Sequence, residues 1–122
     1  MKSEATPLQI RVALRLEGAL VAAIGIYLYA QGGASWWLFA VLILAPDLSA
    51  LGYLKDNRIG AACYNAAHTY LAPALLWLVL WTAGTGLATS LALIWVVHIG
   101  ADRLLGYGLK YPDRFGRTHL SR

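Results

Sequence analysis

The chain has 122 residues, of which 59% are hydrophobic and 13% are charged, and its formal net charge is +4. An average soluble domain is about 25% charged, so this composition argues against a soluble globular protein. Four apolar segments, at about residues 8–30, 35–54, 59–83 and 87–107, each approach the roughly 20 residues that an α-helix needs to cross a bilayer. A soluble four-helix bundle would need a polar stripe on every helix, and runs such as WWLFAVLILA and PALLWLVLW have none. We therefore predict an all-α polytopic membrane protein, a single domain in which four transmembrane helices with short loops form a bundle.

Ionisable residues interrupt the first two predicted spans. The first span contains one carboxylate, Glu17. In the second span Pro46 directly precedes Asp47. Proline removes a backbone donor from a helix, and within a membrane such a break is tolerated where neighbouring groups or water satisfy the backbone. We therefore expect a kink at Pro46 that opens a polar pocket.

The third and fourth spans carry the two histidines of the apolar part of the chain. Tyr64, Asn65 and His68 fall on one face of the third span. His98 and Asp102 are four residues apart in the fourth span, so they also share a helical face. A polar tail, residues 108–122, follows.

Basic residues set the expected orientation. They gather near the N-terminus, in the loop between the second and third spans, and from the end of the fourth span onward, whereas the other two loops are uncharged. The positive-inside rule then places both termini and the middle loop in the cytoplasm. The positive charge is expected to contact anionic lipid headgroups rather than nucleic acid, because no dedicated basic domain is present. A bundle of four spans has little protein interior, so assembly as a homodimer is compatible with this sequence.

Five ionisable groups are expected at a similar depth in the cytoplasmic half of the membrane. With a rise of about 1.5 Å per residue, they lie roughly 8–14 Å from the cytoplasmic ends of their spans. Each charged group is costly at that depth, so each is a functional-site hypothesis. The five residues are Glu17, Asp47, His68, His98 and Asp102.

Imidazole and carboxylate together favour a divalent metal such as zinc, manganese or iron. The predicted ligands are Asp47, His68, His98 and Asp102, and the predicted catalytic residues are Glu17 and Asp47. Four further residues are expected to orient ligands or substrate: Tyr64, Asn65, Arg103 and Tyr107. A purely structural alternative remains open, in which the acids pair with nearby arginines and each histidine joins two helices by a hydrogen bond.

Several runs of sequence resemble a known family. These runs are SWWLFAVLILAPDLSALGYL, YNAAHTYLAP, LIWVVHIGADRLLGYGLKYP and RTHL. They are similar to the small integral membrane proteins grouped as domain of unknown function 4260, and the resemblance extends from LRLEG to the tail. It implies a four-helix protein of the bacterial inner membrane. It implies no reaction, because the family is named for lacking one.

A more distant resemblance supplies a chemistry. Bacterial membrane-bound metal-dependent hydrolases carry a Pro-Asp pair, then a histidine motif, then H-x-x-x-D followed by a glycine and a proline. This chain is similar at Pro46-Asp47, at His68-Thr69 and from His98 to Asp102, with Gly108 and Pro112 after it. It departs from that pattern at Asn65, where the family usually has a histidine, and near the N-terminus, where Glu17 stands for a histidine.

The expected function is a metal-dependent hydrolase that acts on a lipid-borne or amphipathic substrate at the inner leaflet. Two alternatives stay open. A small proton-coupled multidrug exporter would use Glu17 and leave the histidines without a role. A b-type haem protein would use His68 and His98 as axial ligands and leave both aspartates unexplained.

Overall fold

Helices form nearly all of the described chain. The computed structural model describes residues 6–84, 86–110, 118 and 120. In chain order the elements are α1 (Leu8–Gln31), α2 (Trp36–Leu42), a 3-10 helix (Ala45–Leu54), α3 (Asn57–Ala67), α4 (Leu71–Thr82) and α5 (Ala88–Leu105). Within the described residues the extended structure is a single bridge between Lys110 and Thr118. The predicted all-α class is therefore confirmed.

Three helical stretches have the length and apolarity needed to cross a membrane, which indicates a membrane protein. They are Leu8–Gln31, Trp36–Leu54 and Ala88–Leu105. Their bounds lie within two residues of the predicted first, second and fourth spans. The predicted third span, 59–83, is not one continuous helix: it is divided into α3 and α4, and α4 has only 12 residues. A bundle of four continuous spans is thus not confirmed.

Pro73 explains where the third predicted span breaks. Proline has no N–H, and its ring clashes with the carbonyl four residues earlier, here that of Thr69. The chain avoids this clash by ending α3 at Ala67 and starting α4 at Leu71. The Thr69 carbonyl instead accepts from the Ala72 N–H at 3.2 Å. Proline is tolerated in the first turn of the new helix.

The second predicted span also changes its geometry, as the kink expected at Pro46 requires. The α-helix ends at Leu42, and residues Ala45–Leu54 follow as a 3-10 helix. The Asp47 N–H donates to the Leu44 carbonyl at 3.0 Å, a bond between residues three apart. The 3-10 helix then packs against α3, where Gly60 lies against the Tyr53 ring.

Small residues let α1 and α5 approach closely, and this pair forms the largest helix contact in the protein. Gly18, Ala22 and Gly25 are buried along one face of α1. A Cβ at Gly18 would lie 2.6 Å from the Gly100 carbonyl oxygen, a distance that real Cβ atoms do not adopt. Close backbone approach through small residues is typical of helix packing in membranes. It fixes α5, and with it both His98 and Asp102, against α1.

Candidate metal centre

Two histidines and two aspartates from the 3-10 helix, the end of α3 and α5 meet at one point. We call Asp47, His68, His98 and Asp102 the His/Asp cluster; one ligand-capable atom from each lies within 4.8 Å of all the others. Asp47 Oδ1 is 3.1 Å from the Nε2 atom of each histidine, and the two Nε2 atoms are 3.2 Å apart. Asp102 Oδ2 lies 3.5 Å from His68 Nε2 and 3.2 Å from His98 Nε2. The structure thus brings together all four residues that the sequence analysis predicted as ligands.

A backbone carbonyl fixes the ring of His98. Its Nδ1 lies 2.5 Å from the Ile43 carbonyl oxygen. That carbonyl has no helical partner because the residue three positions on is Pro46, which lacks an N–H, and the Asp47 N–H is used by Leu44. Pro46 therefore leaves the Ile43 carbonyl free to accept the hydrogen bond that orients His98.

His68 is oriented in the same way at the end of α3. Its Nδ1 lies 2.7 Å from the Tyr64 carbonyl oxygen. The His68 backbone N–H donates to Asn65 instead, at 3.1 Å, so the Tyr64 carbonyl is available to the side chain. The Tyr64 ring also stacks on the imidazole, with centroids 3.7 Å apart and an interplanar angle of 7°. The ring of His68 is held by one hydrogen bond and one stacking contact.

These two hydrogen bonds determine what the imidazoles present to the cluster. A carbonyl oxygen only accepts, so each Nδ1 carries the proton. In the neutral ring each Nε2 then has a free lone pair. Two lone pairs and two carboxylate oxygens therefore converge on one point, an arrangement of acceptors that needs a cation or shared protons between them.

The separations of these four atoms match a four-coordinate metal site. With zinc bound at about 2.0–2.1 Å, the ligand atoms of a regular tetrahedron are about 3.3–3.4 Å apart. The five separations that involve a histidine Nε2 run from 3.1 to 3.5 Å, and all four ligand atoms, those of the two aspartates included, lie within 4.8 Å of one another. The donor set is also the one that suits zinc, iron and manganese. The residues present fit a divalent metal.

The cluster is buried on its histidine side and open on one aspartate side. His68 and His98 are each 3% exposed. The side chain of Asp102 is 19% exposed and that of Asp47 is 49% exposed. The cluster is therefore accessible on the side of Asp47.

The helix break beside His68 leaves two carbonyl groups that α5 satisfies. The Trp95 indole N–H donates to the Ala67 carbonyl at 2.6 Å. Arg103 Nη2 donates to the His68 carbonyl at 3.0 Å. Backbone groups at a helix end need such partners where water is scarce. Trp95 and Arg103 thus fix the end of α3 on the helix that carries His98 and Asp102.

The tail is joined to the cluster through Asn65. Its side-chain amide donates to the Lys110 carbonyl at 2.7 Å, and its Oδ1 accepts from the Lys110 N–H at 2.6 Å. The Lys110 ammonium lies 4.6 Å from the centre of the Tyr64 ring. Burial lowers the pKa of Lys110, while the negative charges of Asp102 and Asp47 act in the opposite direction. The polar tail predicted by the sequence therefore contacts the site at this lysine.

Two further residues of the predicted site, Tyr107 and Glu17, lie outside the cluster. Tyr107 is 57% exposed, and its backbone N–H donates to the Asp102 carbonyl at 2.8 Å. Glu17 is exposed on α1 and does not belong to the cluster. Its predicted role as ligand or base remains a prediction that this arrangement does not support directly.

Sequence reasoning missed Ile43, Trp95 and Lys110. Ile43 acts only through its backbone carbonyl, so its side chain gives no indication. Pro46 could have identified it, because a proline frees a carbonyl at a known spacing. Trp95 stands three residues before His98, and a buried indole N–H needs an acceptor. Lys110 stands in the polar tail after Asp102, and a lysine there is expected to face the headgroups rather than a buried site.

No curated protein and no solved structure matches this chain. One family model does match, that of "Domain of unknown function (DUF4260)", and it covers residues 11–122. This range includes the His/Asp cluster, both halves of the broken third segment and the tail. The chain belongs to the DUF4260 family.

Proposed function

We propose that this protein is a metal-dependent hydrolase of the bacterial inner membrane, with both termini in the cytoplasm, and that it cleaves a lipid-borne or amphipathic substrate at the inner leaflet. The observation that carries this proposal is the convergence of two Nε2 lone pairs and two carboxylate groups, whose ligand atoms all lie within 4.8 Å of one another. The motif similarity to membrane-bound metal-dependent hydrolases, noted from the sequence, supports the reaction class.

Each residue of the cluster has a distinct role in this proposal. His68 and His98 hold the metal, because their Nδ1 protons are fixed on carbonyls and their Nε2 atoms face inward. Asp102 is the more enclosed carboxylate and completes the ligand set. A divalent ion at such a site polarises a carbonyl or phosphoryl oxygen and lowers the pKa of the water that it binds.

Asp47 is the residue placed to act as the general base. It is the exposed member of the cluster, and its Oδ1 lies within hydrogen-bonding distance of both histidines. A carboxylate at the open side would accept the proton of the attacking water. The open side is also where the scissile bond would arrive.

The two alternative functions are less well supported by the geometry. A haem needs its macrocycle between the two axial nitrogens, but His68 Nε2 and His98 Nε2 are 3.2 Å apart and Asp47 Oδ1 lies 3.1 Å from both. A proton-coupled exporter would centre on Glu17, and the buried cluster would then have no part in its mechanism.

Metal content tests the proposal directly. Protein purified in mild detergent and loaded with zinc, manganese or iron should retain about one ion per chain after desalting, because the cluster offers ligands for a single ion with one position open to water. His68→Ala and His98→Ala should each lose that ion. His119→Ala is the matched control, because it removes the third histidine of the chain, and it should retain the ion. Wild-type protein that retains no ion, or variants that retain as much as the wild type, would overturn the metal centre.

Hydrolysis is tested on chromogenic esters and phosphoesters with medium-length alkyl chains. Wild-type protein should show turnover that a chelator removes and the added metal restores. Asp47→Asn should lower kcat more than metal content, because the amide cannot accept the proton. Turnover that is equal in wild type and His98→Ala would contradict the assigned site.

A further inference from the structure

A groove of about 300 Å³ lies beside the His/Asp cluster and is unused by the metal site itself. Its walls come from α2, the 3-10 helix, α3, α4 and α5, which include every element that carries a member of the cluster. We infer that this groove binds the hydrocarbon chain of the substrate, so that the hydrolase acts on lipids or acyl compounds with one chain seated in the groove. This inference rests on the proposed function and names the substrate class of the same site.

The walls of the groove continue directly into the cluster. Pro46 lines the groove and precedes Asp47, and Ala67 lines it and precedes His68. Ile94 lines it one helical turn before His98. A chain in the groove would therefore hold its polar end near the metal ligands. No comparable continuity exists at a second groove between α4 and α5, which is lined by Trp77 and Leu93 among others.

The chemistry of the walls selects hydrocarbon. Its residues are apolar except for Ser49 and the indole N–H of Trp95. The Ser49 hydroxyl donates to the Pro46 carbonyl at 2.7 Å, and the Trp95 N–H donates to the Ala67 carbonyl at 2.6 Å. Both polar groups of the wall thus already have partners within the protein, and the groove offers apolar contact to a ligand.

The size and position of the groove also suit one chain. Its volume lies at the lower end of the roughly 300–1,000 Å³ typical of small-molecule sites. Three of the elements that line it, α2, the 3-10 helix and α5, belong to stretches that can cross a membrane, Trp36–Leu54 and Ala88–Leu105. A lipid chain can therefore enter laterally from the bilayer, while its polar group approaches the open side at Asp47.

Fluorescence of Trp95 tests this inference without a measurement of turnover. The chain has five tryptophans, so a form that retains only Trp95 is made by changing the others to Phe. A form that retains only Trp81, which is 60% exposed, is the control. In detergent, a fatty acid brominated along its chain should quench Trp95 saturably. The same fatty acid should quench Trp81 only in proportion to the mole fraction of fatty acid in the micelle.

Filling the groove should weaken this binding. Ala67→Leu adds about three carbon atoms to the wall, so the concentration for half-maximal quenching should rise about tenfold or more. Ala74→Leu makes the same change in the second groove and should leave the binding unchanged. Leu76→Phe provides a second filling variant, in case Ala67→Leu disturbs the adjacent His68.

The results separate the groove from the metal centre, because metal content is measured on the same samples. Retained metal with equal quenching of Trp95 and Trp81 would overturn the groove inference and leave the metal centre standing. Lost metal with saturable quenching of Trp95 would overturn the proposed hydrolase and leave a chain-binding groove. Quenching that neither filling variant weakens would also overturn the groove inference.

Discussion

Pro46 and Pro73 each remove one N–H from a stretch of apolar residues that would otherwise form a continuous helix. The consequence at Pro46 is a free Ile43 carbonyl, which orients His98. The consequence at Pro73 is the end of α3 at Ala67, where the bonds to the Tyr64 and His68 carbonyls form. Both histidines are therefore oriented by backbone acceptors released at helix ends.

Pro46→Ala tests this role of the backbone at the scale of one residue. Alanine restores an N–H and permits a regular helix, in which the Asp47 N–H returns to the Ile43 carbonyl and displaces the His98 ring. Loss of a group that orients a metal ligand typically weakens metal affinity by about 10–100-fold. Competition with a chelator measures this affinity. Pro7→Ala, at the start of α1, is the control and should bind metal as the wild type does.

The packing of α1 against α5 depends on the absence of a side chain at Gly18. A methyl group at Gly18 would meet the Gly100 carbonyl at 2.6 Å and also the side chain of Arg103. The two helices must then separate, and overpacking of this kind costs about 1–3 kcal/mol. Gly18→Ala should therefore lower the thermal midpoint in detergent, followed by tryptophan fluorescence.

Gly86→Ala is the matched control for this change, because nothing lies within 4 Å of a Cβ at Gly86. It should leave the midpoint near that of the wild type. An equal midpoint for both variants would mean that α1 and α5 do not approach as closely as described. Since α5 carries His98 and Asp102, Gly18→Ala should also lower metal affinity.

The side-chain amide of Asn65 makes two hydrogen bonds that connect α3 to the tail. Asn65 bonds both backbone groups of Lys110, and Lys110 is buried. Asn65→Ala removes both hydrogen bonds, each of which contributes about 0.5–1.5 kcal/mol. Amide hydrogen exchange near residues 107–110 should accelerate in this variant. Asn65→Asp, which keeps the acceptor and loses the donor, should lie between wild type and alanine; unchanged exchange in Asn65→Ala would contradict this role.

Apolar length and charge placement were enough to predict the helical class and three of the spans. They were also enough to select the four members of the His/Asp cluster, because ionisable groups are rare in such segments. The break in the third segment was missed, although Pro73 marks it. The average apolarity of residues 59–83 does not register one proline, although that proline lacks the N–H that a continuous helix needs. Glu17 was selected by the same rule as the cluster, but depth along a helix does not determine which way a side chain faces.

At the scale of the whole molecule, the broken third segment decides the topology. α4 alone is about 18 Å long, too short for a hydrocarbon core of about 30 Å. α3 and α4 together extend from Asn57 to Thr82 and are long enough to cross once. The carbonyls at the break have donors from Trp95 and Arg103, as a break at membrane depth requires. We therefore predict four crossings, with both termini in the cytoplasm.

Cysteine labelling distinguishes four crossings from three. In a Cys63→Ala background, Gly32→Cys and Gly86→Cys should both react with a membrane-impermeant thiol reagent added to intact cells. Asn57→Cys and Ser121→Cys should react only after the cells are opened, because basic segments remain in the cytoplasm. If α3 and α4 instead enter and leave on one side, Gly86→Cys becomes protected and Ser121→Cys becomes accessible. In that case α5 would cross the membrane in the opposite direction. Asp47 would keep its place in the cytoplasmic half of the second span, whereas Asp102, near the end of α5, would move to the outer half. That labelling pattern would therefore contradict the convergence of the His/Asp cluster, and with it the proposed site at the inner leaflet.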